Sequence, residues 1–303
     1  MREQTEIFEE QRPRLTGIAY RMLGSVSDAQ DVVQDTYLRW VTYDGPAIDA
    51  PAAWLSRVCT NRCLDRLKSA HKTRVDYVGP WIPDQIQTEY VASAEEQVEI
   101  ASSLTTAFLL LLERLTPKER AAYLLHDIFG MPFDEVAASL DLNTANCRKL
   151  AARARRFVTQ SHVRHIPNEQ RQAELMEAFR SALATGDTGG LVHVLHAETT
   201  LRADSDGKAA AIRRVIEGRG DVCRFVAGVL SPAWRGMRLS IKKINGLLGL
   251  VVEDGAIPFA SVTFAYDAEG CVRDFFILRH PDKLSQLGET LSTAAGGGAL
   301  WFH

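Results

Sequence analysis

The chain lacks any long apolar run, any paired-cysteine motif and any overall excess of basic residues. Each absence removes a class of protein. No stretch approaches the ~20 apolar residues of a membrane-spanning helix, and the start, MREQTEIFEEQRPR, is charged rather than apolar. Neither a signal peptide nor a membrane span is expected, which points to the cytoplasm. The cysteines are five (Cys59, Cys63, Cys147, Cys223, Cys271), without a C-x-x-C pair or a histidine at zinc spacing. That argues against a disulfide scaffold and a structural zinc site. Cys59 and Cys63 lie one helical turn apart, yet inside an apolar pattern that reads as packing rather than as a redox pair. The net charge of -3 removes the uniformly basic nucleic-acid binder.

Local charge is more informative. Arg57, Arg62, Arg66, Lys68, Lys72 and Arg74 form one basic segment, interrupted by Asp65. Arg148, Lys149, Arg153, Arg155, Arg156 and Arg164 form a second without an acid among them. Two separated basic segments in a near-neutral chain suggest two contacts with nucleic acid. Against them stands SVSDAQDVVQDTYLRW (25–40), where Asp28, Asp31 and Asp35 fall three and four apart and share one helix face. Phosphates repel such a face, so it calls for a different partner.

With 303 residues, 46% of them apolar, the chain can build two or three compact units. Residues 5–75 read as helices. Gly24 ends one, and Ser27 with Gln30 suggests a capping box for the next. TYDGPAIDAPAA (42–53) is a loop, and a third helix follows from about Ala52 to Ser69. YVGPWIPDQIQTEY should be an extended linker, with helices resuming near Ala94. TPKE (116–119) signals another helix start, and Gly130 a stop. Beyond Gln170 a helix through Leu175, Met176, Phe179 and Leu183 ends at Gly186. ETTLRAD is a strand candidate, Ala209–Val229 reads as helix, and 237–266 with 272–278 read as strands divided by NGLLG, EDGA and DAEG turns. Val262, Phe264 and Tyr266 alternate as in a half-buried strand. AAGGGA (294–299) suggests a flexible tail. The order indicates two all-α domains followed by an α+β domain.

FDEVAASLDLNTANCRKLAARARRFV (133–158) has the pattern of a helix-turn-helix. Val136, Ala137 and Leu140 bury a short first helix, Asp141–Asn143 turns, and Asn143 caps a second helix. Cys147, Leu150, Ala151, Ala154 and Phe157 face inward there. That leaves Asn146, Arg148 and Lys149 to read base edges, and Arg153, Arg155 and Arg156 for phosphates. By pattern alone, a basic helix in a bundle is the alternative. In WLSRVCTNRCLDRLKSAHKTR (54–74), Asn61, Arg62, Asp65 and Lys68 line one side. Behind a Gly/Pro-rich loop they could grip a separated strand and an unstacked base.

AYRMLGSVSDAQDVVQDTYLRW, WLSRVCTNRCLDRLKS and LTPKERAAYLLHDIFGMPFDEVAASLDLNTANCRKLAARARR together resemble bacterial sigma factors of the extracytoplasmic-function type. The resemblance spans roughly residues 1–165. It implies a sigma domain 2 over 1–78, a linker over 79–98 and a sigma domain 4 over 99–165. It also implies that Asp28, Asp31 and Asp35 dock on the β′ clamp helices of core RNA polymerase, and that 41–53 captures a flipped base. Asn61, Arg62, Asp65 and Lys68 would then hold the −10 element, and residues 143–156 would read the −35 element.

Residues 168–290 resemble the SnoaL-like extension of a subset of these factors, a cone-shaped α+β fold, with 291–303 as the tail. WIPD (81–84), DSDGK (204–208), NGLLG (245–249) and HPDKL (280–284) are similar to the motifs that accompany it. The resemblance marks Trp81, Pro83, Asp204, Lys208, Asn245, Gly246, Asp282 and Lys283 as interdomain regulatory residues. DSDGK departs from the pattern, with Ser205 and Asp206 where glycines are common. Asp204, Asp206, His193, His196 and Tyr266 are the groups available for acid–base work, but no two form a catalytic pair in the sequence. His193 and His196 lack a third metal ligand. Neither an enzyme nor a cofactor or metal is therefore expected. The reading is a monomeric alternative sigma factor controlled in cis by its third domain, which could also take a small ligand. The alternative is a SnoaL-type enzyme or sensor fused to a DNA-binding module.

Overall fold

The computed structural model describes residues 2–73, 77–90, 102–161, 165–288, 290–294 and 299–302. Three helices open the chain: α1 (Arg2–Leu23), α2 (Val26–Val41) and α3 (Pro51–Thr73). α1 stops at Gly24, whose φ of +67° suits glycine. A Cβ there would lie 2.8 Å from the Trp81 ring, so the glycine also admits the linker. The cap of α2 is Ser25, whose hydroxyl accepts from the Asp28 amide, and not Ser27 as the capping-box pattern suggested. With the chain leaving α1 through Gly24, Ser25 is already extended (φ -128°, ψ 130°), as an N-cap must be. Val26, Ala29, Val32, Val33, Thr36 and Trp40 bury the expected stripe of α2.

The second helical unit holds α4 (Thr106–Leu112), α5 (Pro117–Tyr123), α6 (Phe133–Leu140) and α7 (Thr144–Gln160). The expected start near Ala94 lies outside the described residues. Thr116 and Glu119 close a reciprocal capping box on α5, which runs on through a π-type turn, Leu124–Ile128. Gly130, at φ +66°, follows that turn. Asp141 adopts φ +52° between α6 and α7, and Asn143 caps α7 through the Asn146 amide at 2.8 Å. The helix-turn-helix is thus present, with Cys147, Ala151, Ala154 and Val158 inward and Leu150 and Phe157 half-buried.

The two helical units share one hydrophobic core, in which Leu15, Ile18, Met22 and Leu55 join Phe108, Leu112, Tyr123 and Val136. Arginines seal the seam through carbonyl oxygens. Arg120 is 3% exposed and donates to Met22 O and Glu113. Arg21 donates to Ser103 O and Oγ, and Arg14 to Phe129 O at 3.0 Å. Burial pushes the Arg120 guanidinium down to about 10, so it remains a cation. α3 packs on α6, the first helix of the helix-turn-helix.

The third unit carries α8 (Glu169–Thr185), α9 (Gly189–Val194), β2 (Leu195–Asp204), β3 (Ile216–Glu217), α10 (Arg219–Phe225) and α11 (Ser231–Ala233). After these come β4 (Arg238–Ile244), β5 (Leu247–Asp254), β6 (Ile257–Tyr266), β7 (Val272–Leu278) and α12 (Pro281–Ser285). The linker supplies β1 (Gln87–Tyr90), and the C-terminus supplies β8 (Thr290–Ala294) and β9 (Ala299–Phe302). The mixed sheet runs β3-β2-β7-β6-β5-β4-β1-β8-β9, with β2 parallel to β7 and β1 parallel to β8. The α+β architecture is the one the sequence implies. Its inner face packs on α8, where the rings of Phe179, Phe264 and Phe275 meet edge to face at 5.1–5.8 Å.

Three expectations change. β6 is not half-buried: Ser261 and Thr263, on the face opposite Val262 and Phe264, are 0% and 3% exposed, because the linker and α4 cover that side. Ala209–Val229 is not one helix. Residues 205–215 are irregular, Ile216–Glu217 pairs with β2, and helix begins only at Arg219, after Gly218 at φ +89°. The helical preference of the alanine run is a weak prior, and the run stays irregular between the end of β2 and the strand at Ile216. The tail over 291–303 is not free chain where it is described, since β8 and β9 pair as a hairpin beside β1.

Asn143 supplies the side-chain cap of α7. Asn143→Ala should lower stability by about 1 kcal/mol, and Asn143→Ser should recover most of it; urea unfolding followed by circular dichroism reads both.

Candidate functional sites

Asn61, Arg62, Asp65 and Lys68 stand exposed on α3, with Lys68 paired to Asp65 at 2.9 Å. Arg74 and Arg164 lie outside the described residues. Asn146, Arg148, Lys149, Arg153, Arg155 and Arg156 are exposed on α7. Two of them already hold acids from their own domain. Arg153 meets Glu119 at 3.1 Å, and Arg155 meets Asp127. Arg148 lies over the Phe133 ring. Lys149 and Arg156 carry no ion pair among the described residues.

The acidic face of α2 is similarly occupied. Arg66 of α3 reaches Asp28 and Asp31 at 2.7 Å each, which holds its guanidinium pKa above the usual value. Asp35 stays exposed. Arg66 was legible only as part of a basic segment, because its partners are more than thirty residues away.

The marked motifs of the linker and third domain converge on one buried site. Asp204, at the end of β2, is 0% exposed. Its carboxylate accepts from the Tyr77 hydroxyl at 2.6 Å, the Ile82 amide at 2.8 Å and Lys283 Nζ at 2.8 Å. Lys283 also donates to Ile82 O at 2.5 Å and lies 4.8 Å from the centroid of the Trp81 ring. The turn at 204–208 does receive a close approach: the Val78 amide donates to Asp206 at 3.0 Å, and Val78 lies 3.6 Å from where a Cβ of Gly207 would stand. Asn245 and Gly246, at φ +48° and +86°, form the two-residue turn joining β4 to β5. That turn aims Asn245 at the linker, where it accepts from the Ile86 amide at 2.8 Å. Gly246 donates to Thr88 Oγ1 at 3.2 Å, and Pro83 is buried beside Gly24. Lys208 and Asp282 instead pair with each other at the surface, at 2.5 Å, rather than with the linker.

Other members of the site fall outside the marked residues, Asp84 among them although it closes WIPD. Asp84 accepts from the Val26 amide with its carboxylate at 2.8 Å and from the Tyr20 hydroxyl with its carbonyl at 2.6 Å. Burial raises its pKa, against the opposing pull of Lys283. Asn245 Nδ2 donates to the same Tyr20 hydroxyl at 3.2 Å, tying the first and third units through one phenol. Gln85 bonds Thr263 at 3.0 Å and Ser261 at 2.6 Å. Thr106 of α4 meets Thr263 at 2.9 Å.

Acid–base chemistry finds no assembly here. Among the described residues no hydrogen bond joins any two of Asp204, Asp206, His193, His196 and Tyr266. Asp204 is engaged by the linker, and His196 Nδ1 accepts from the Glu198 amide. Among the described residues no cluster of three or more His, Cys, Asp or Glu is placed to hold a metal. Nor is any described helix long and apolar enough to cross a membrane. Cys59 and Cys63 are buried, and burial raises the Cys63 thiol well above its usual value, which suits packing.

The fold and its surfaces define a class: two helical units carrying exposed basic helices, the second a helix-turn-helix, strapped by their linker to an α+β domain. The sequence matches the family descriptions Sigma-70 region 2 over residues 7–73 and Sigma-70, region 4 over residues 105–158. The ECF RNA polymerase sigma factor SigJ of Mycobacterium tuberculosis is 35% identical over 303 residues, covering 96% of this chain and 97% of the relative. The crystal structure of the extracytoplasmic function sigma factor SigJ from that organism has a TM-score of 0.72 at 31% identity, covering 94% of this chain and 99% of that one. The probable ECF RNA polymerase sigma factor SigI of the same species is 32% identical over 186 residues, 61% of this chain and 64% of the relative. The chain belongs to the extracytoplasmic-function sigma factors, which serve promoter-specific initiation with core RNA polymerase. The full-length match carries the third domain with it, and the family is not one of enzymes.

Asp204→Ala leaves Lys283 buried without its anion. It should cost about 3–5 kcal/mol of linker docking and speed protease cleavage within 77–90. The double variant with Lys283→Met should restore part of the loss. His280 is 6% exposed and stacks on Tyr77 at 6.5 Å. Burial, then Lys283 and Lys208, hold its pKa below the ordinary value, against Asp204 and Asp282. A freed His280 therefore takes a proton more readily than a docked one, so docking is strongest above pH ~6.5 and weakens as pH falls from there toward the depressed pKa. The slope of protease susceptibility with pH should be smaller in His280→Gln.

Proposed function

We propose that this arrangement is the closed form of the sigma factor and that the docked linker holds it closed. The supporting observation is the shared core of the two helical units. Elements at −10 and −35 lie roughly 25 base pairs apart, or about 85 Å at ~3.4 Å per base pair. Domains fused through one core do not reach both. Fully extended, the ~30 residues between α3 and α4 span about 100 Å, enough for the task. Residues 77–88 are held along Asp204, Asn245, Ser261 and Thr263, which leaves about 20 residues, or about 65 Å at ~3.3 Å per residue, to span the rest. Asp84 of the docked linker binds Val26 and Tyr20 of the first unit and Thr263 of the third domain binds Thr106 of the second, so separating the helical units breaks contacts at the docked linker, and the third domain acts as a regulator in cis.

In the open form, Asn61, Arg62, Asp65 and Lys68 hold −10 DNA. Asn146, Arg148 and Lys149 read −35 bases, and Arg153, Arg155 and Arg156 reach phosphates. Asp28, Asp31 and Asp35 meet basic side chains of the polymerase β′ clamp helices, where Arg66 now sits. The protein works in the cytoplasm, beside the polymerase. The third domain regulates rather than catalyses, a reading supported by the engagement of Asp204 with the linker.

Run-off transcription with core polymerase tests this. Trp81→Ala and Asp204→Ala should raise promoter output several-fold at limiting factor, while residues 1–165 keep their helical content. Unchanged or lower output in both would remove the closed-form reading. Reversing Asp31 and Asp35 to Lys should weaken core binding by at least about tenfold, the loss expected when attraction becomes repulsion at two positions; unaltered binding would make the stripe a solvated surface.

A further inference from the structure

The third domain holds a cavity of about 300 Å³ between α10, its continuation through Leu230, α11 and the ends of β2, β6 and β7. Its walls are apolar, formed by Phe225, Leu230, Trp234, Phe259 and Ile277, and four alanines leave the space open. One charged side chain lines it, Arg279. Ile277 and Arg279 are two apart after the inward-facing Phe275, so the strand's alternation turns both toward this side.

Among the described residues Arg279 is a cation without a counter-ion. Its guanidinium lies over the Phe259 ring and donates to Phe259 O and, at 3.5 Å, to Ala210 O. No carboxylate forms an ion pair with it among the described residues. Three of its five N–H donors have no partner among the described residues. Half-buried, its pKa is pushed down by desolvation alone. A desolvated charge in an apolar cavity is ordinarily paired, and a planar guanidinium matches a carboxylate in two parallel hydrogen bonds.

We propose that this cavity is a binding site for a small amphipathic monocarboxylic acid, with its carboxylate on Arg279 and its hydrocarbon or aryl body against Phe225, Leu230 and Trp234. One cation suits one negative charge, which disfavours dicarboxylates and phosphates. The volume equals that of about ten waters at ~30 Å³ each, which sets the body near ten heavy atoms. The site adjoins the linker, since the Arg279 amide donates to Asp204 O at 2.7 Å. The binding itself does not depend on the linker's regulatory role.

Calorimetry on the full-length protein with octanoate, 3-phenylpropionate and neutral octan-1-ol decides the matter. At least one acid should bind one-to-one with a dissociation constant below about 1 mM, as expected for ten well-buried heavy atoms. Octan-1-ol should bind about tenfold or more weakly, because it leaves the guanidinium unpaired. Arg279→Gln should remove that preference while leaving octan-1-ol binding unchanged. Ala211→Phe, which fills the cavity from its irregular wall and keeps Arg279, should weaken acid and alcohol alike. Absence of binding by both acids, equal affinity for acid and alcohol, or indifference to Ala211→Phe would each overturn the assignment. Neither result alters transcription by the linker variants, so the two readings fail separately.

Discussion

Everything else in the arrangement depends on one buried carboxylate. Asp204 is fully enclosed and has three donors, two of them on the linker. A buried anion without its hydrogen bonds is costly, and removing the linker's two donors leaves Asp204 with Lys283 alone. The third domain therefore favours the linker in one place and one extended conformation. From that anchor the chain runs past Gly24, Val26 and Tyr20 on one side and Ser261 and Thr263 on the other, before pairing with Ile244 as a strand. A connection that would otherwise be a tether becomes an internal layer.

The energetics differ on the two sides of this layer. Its contacts with the third domain are buried hydrogen bonds, each expensive to leave unmade. The pairs that occupy the proposed functional surfaces, Arg66 with Asp28 and Asp31, Arg153 with Glu119 and Arg155 with Asp127, are partly exposed. Pairs of that kind contribute about 0–1 kcal/mol apiece. They keep opposite charges from facing bare solvent, yet yield readily to a competing polyanion or basic helix. The proposed closed state is held at the linker and the shared helical core, and only lightly at the surfaces proposed for polymerase and DNA.

Local signals in the sequence were legible where the chain satisfies its own ends. The Thr116–Glu119 box, the Asn143 cap, the stops at Gly24 and Gly186 and the Asn245–Gly246 turn all involve partners within four residues. The motif residues Trp81, Asp204, Asn245 and Lys283 were identifiable by resemblance; Lys283 does meet Trp81 and Asp204, while Asn245 holds the linker further on at Ile86. Gln85, Tyr20 and Thr263 were not identifiable, because each looks like an ordinary polar residue until its partner arrives from 64 to 225 positions away, and Asp84 was legible only as the last residue of WIPD. The alanine-rich run after Gly207 misled in the other direction: its helical preference is a weak prior, and tertiary context leaves it irregular.

The sequence by itself determined the helices, the helix-turn-helix, the order of domains and the family, since periodicity, capping and motif spacing are properties of short stretches. Only the tertiary structure decided that the two helical domains share a core, that the linker is a strand of the third domain's sheet, and that the outer face of β6 is buried. Ser261 and Thr263 show why. On a free sheet a serine and a threonine face water; here the same hydroxyls are the acceptors and donors that a buried Gln85 requires. A polar side chain has the same sequence signature in both settings, and only the arrival of its partner distinguishes surface from interface.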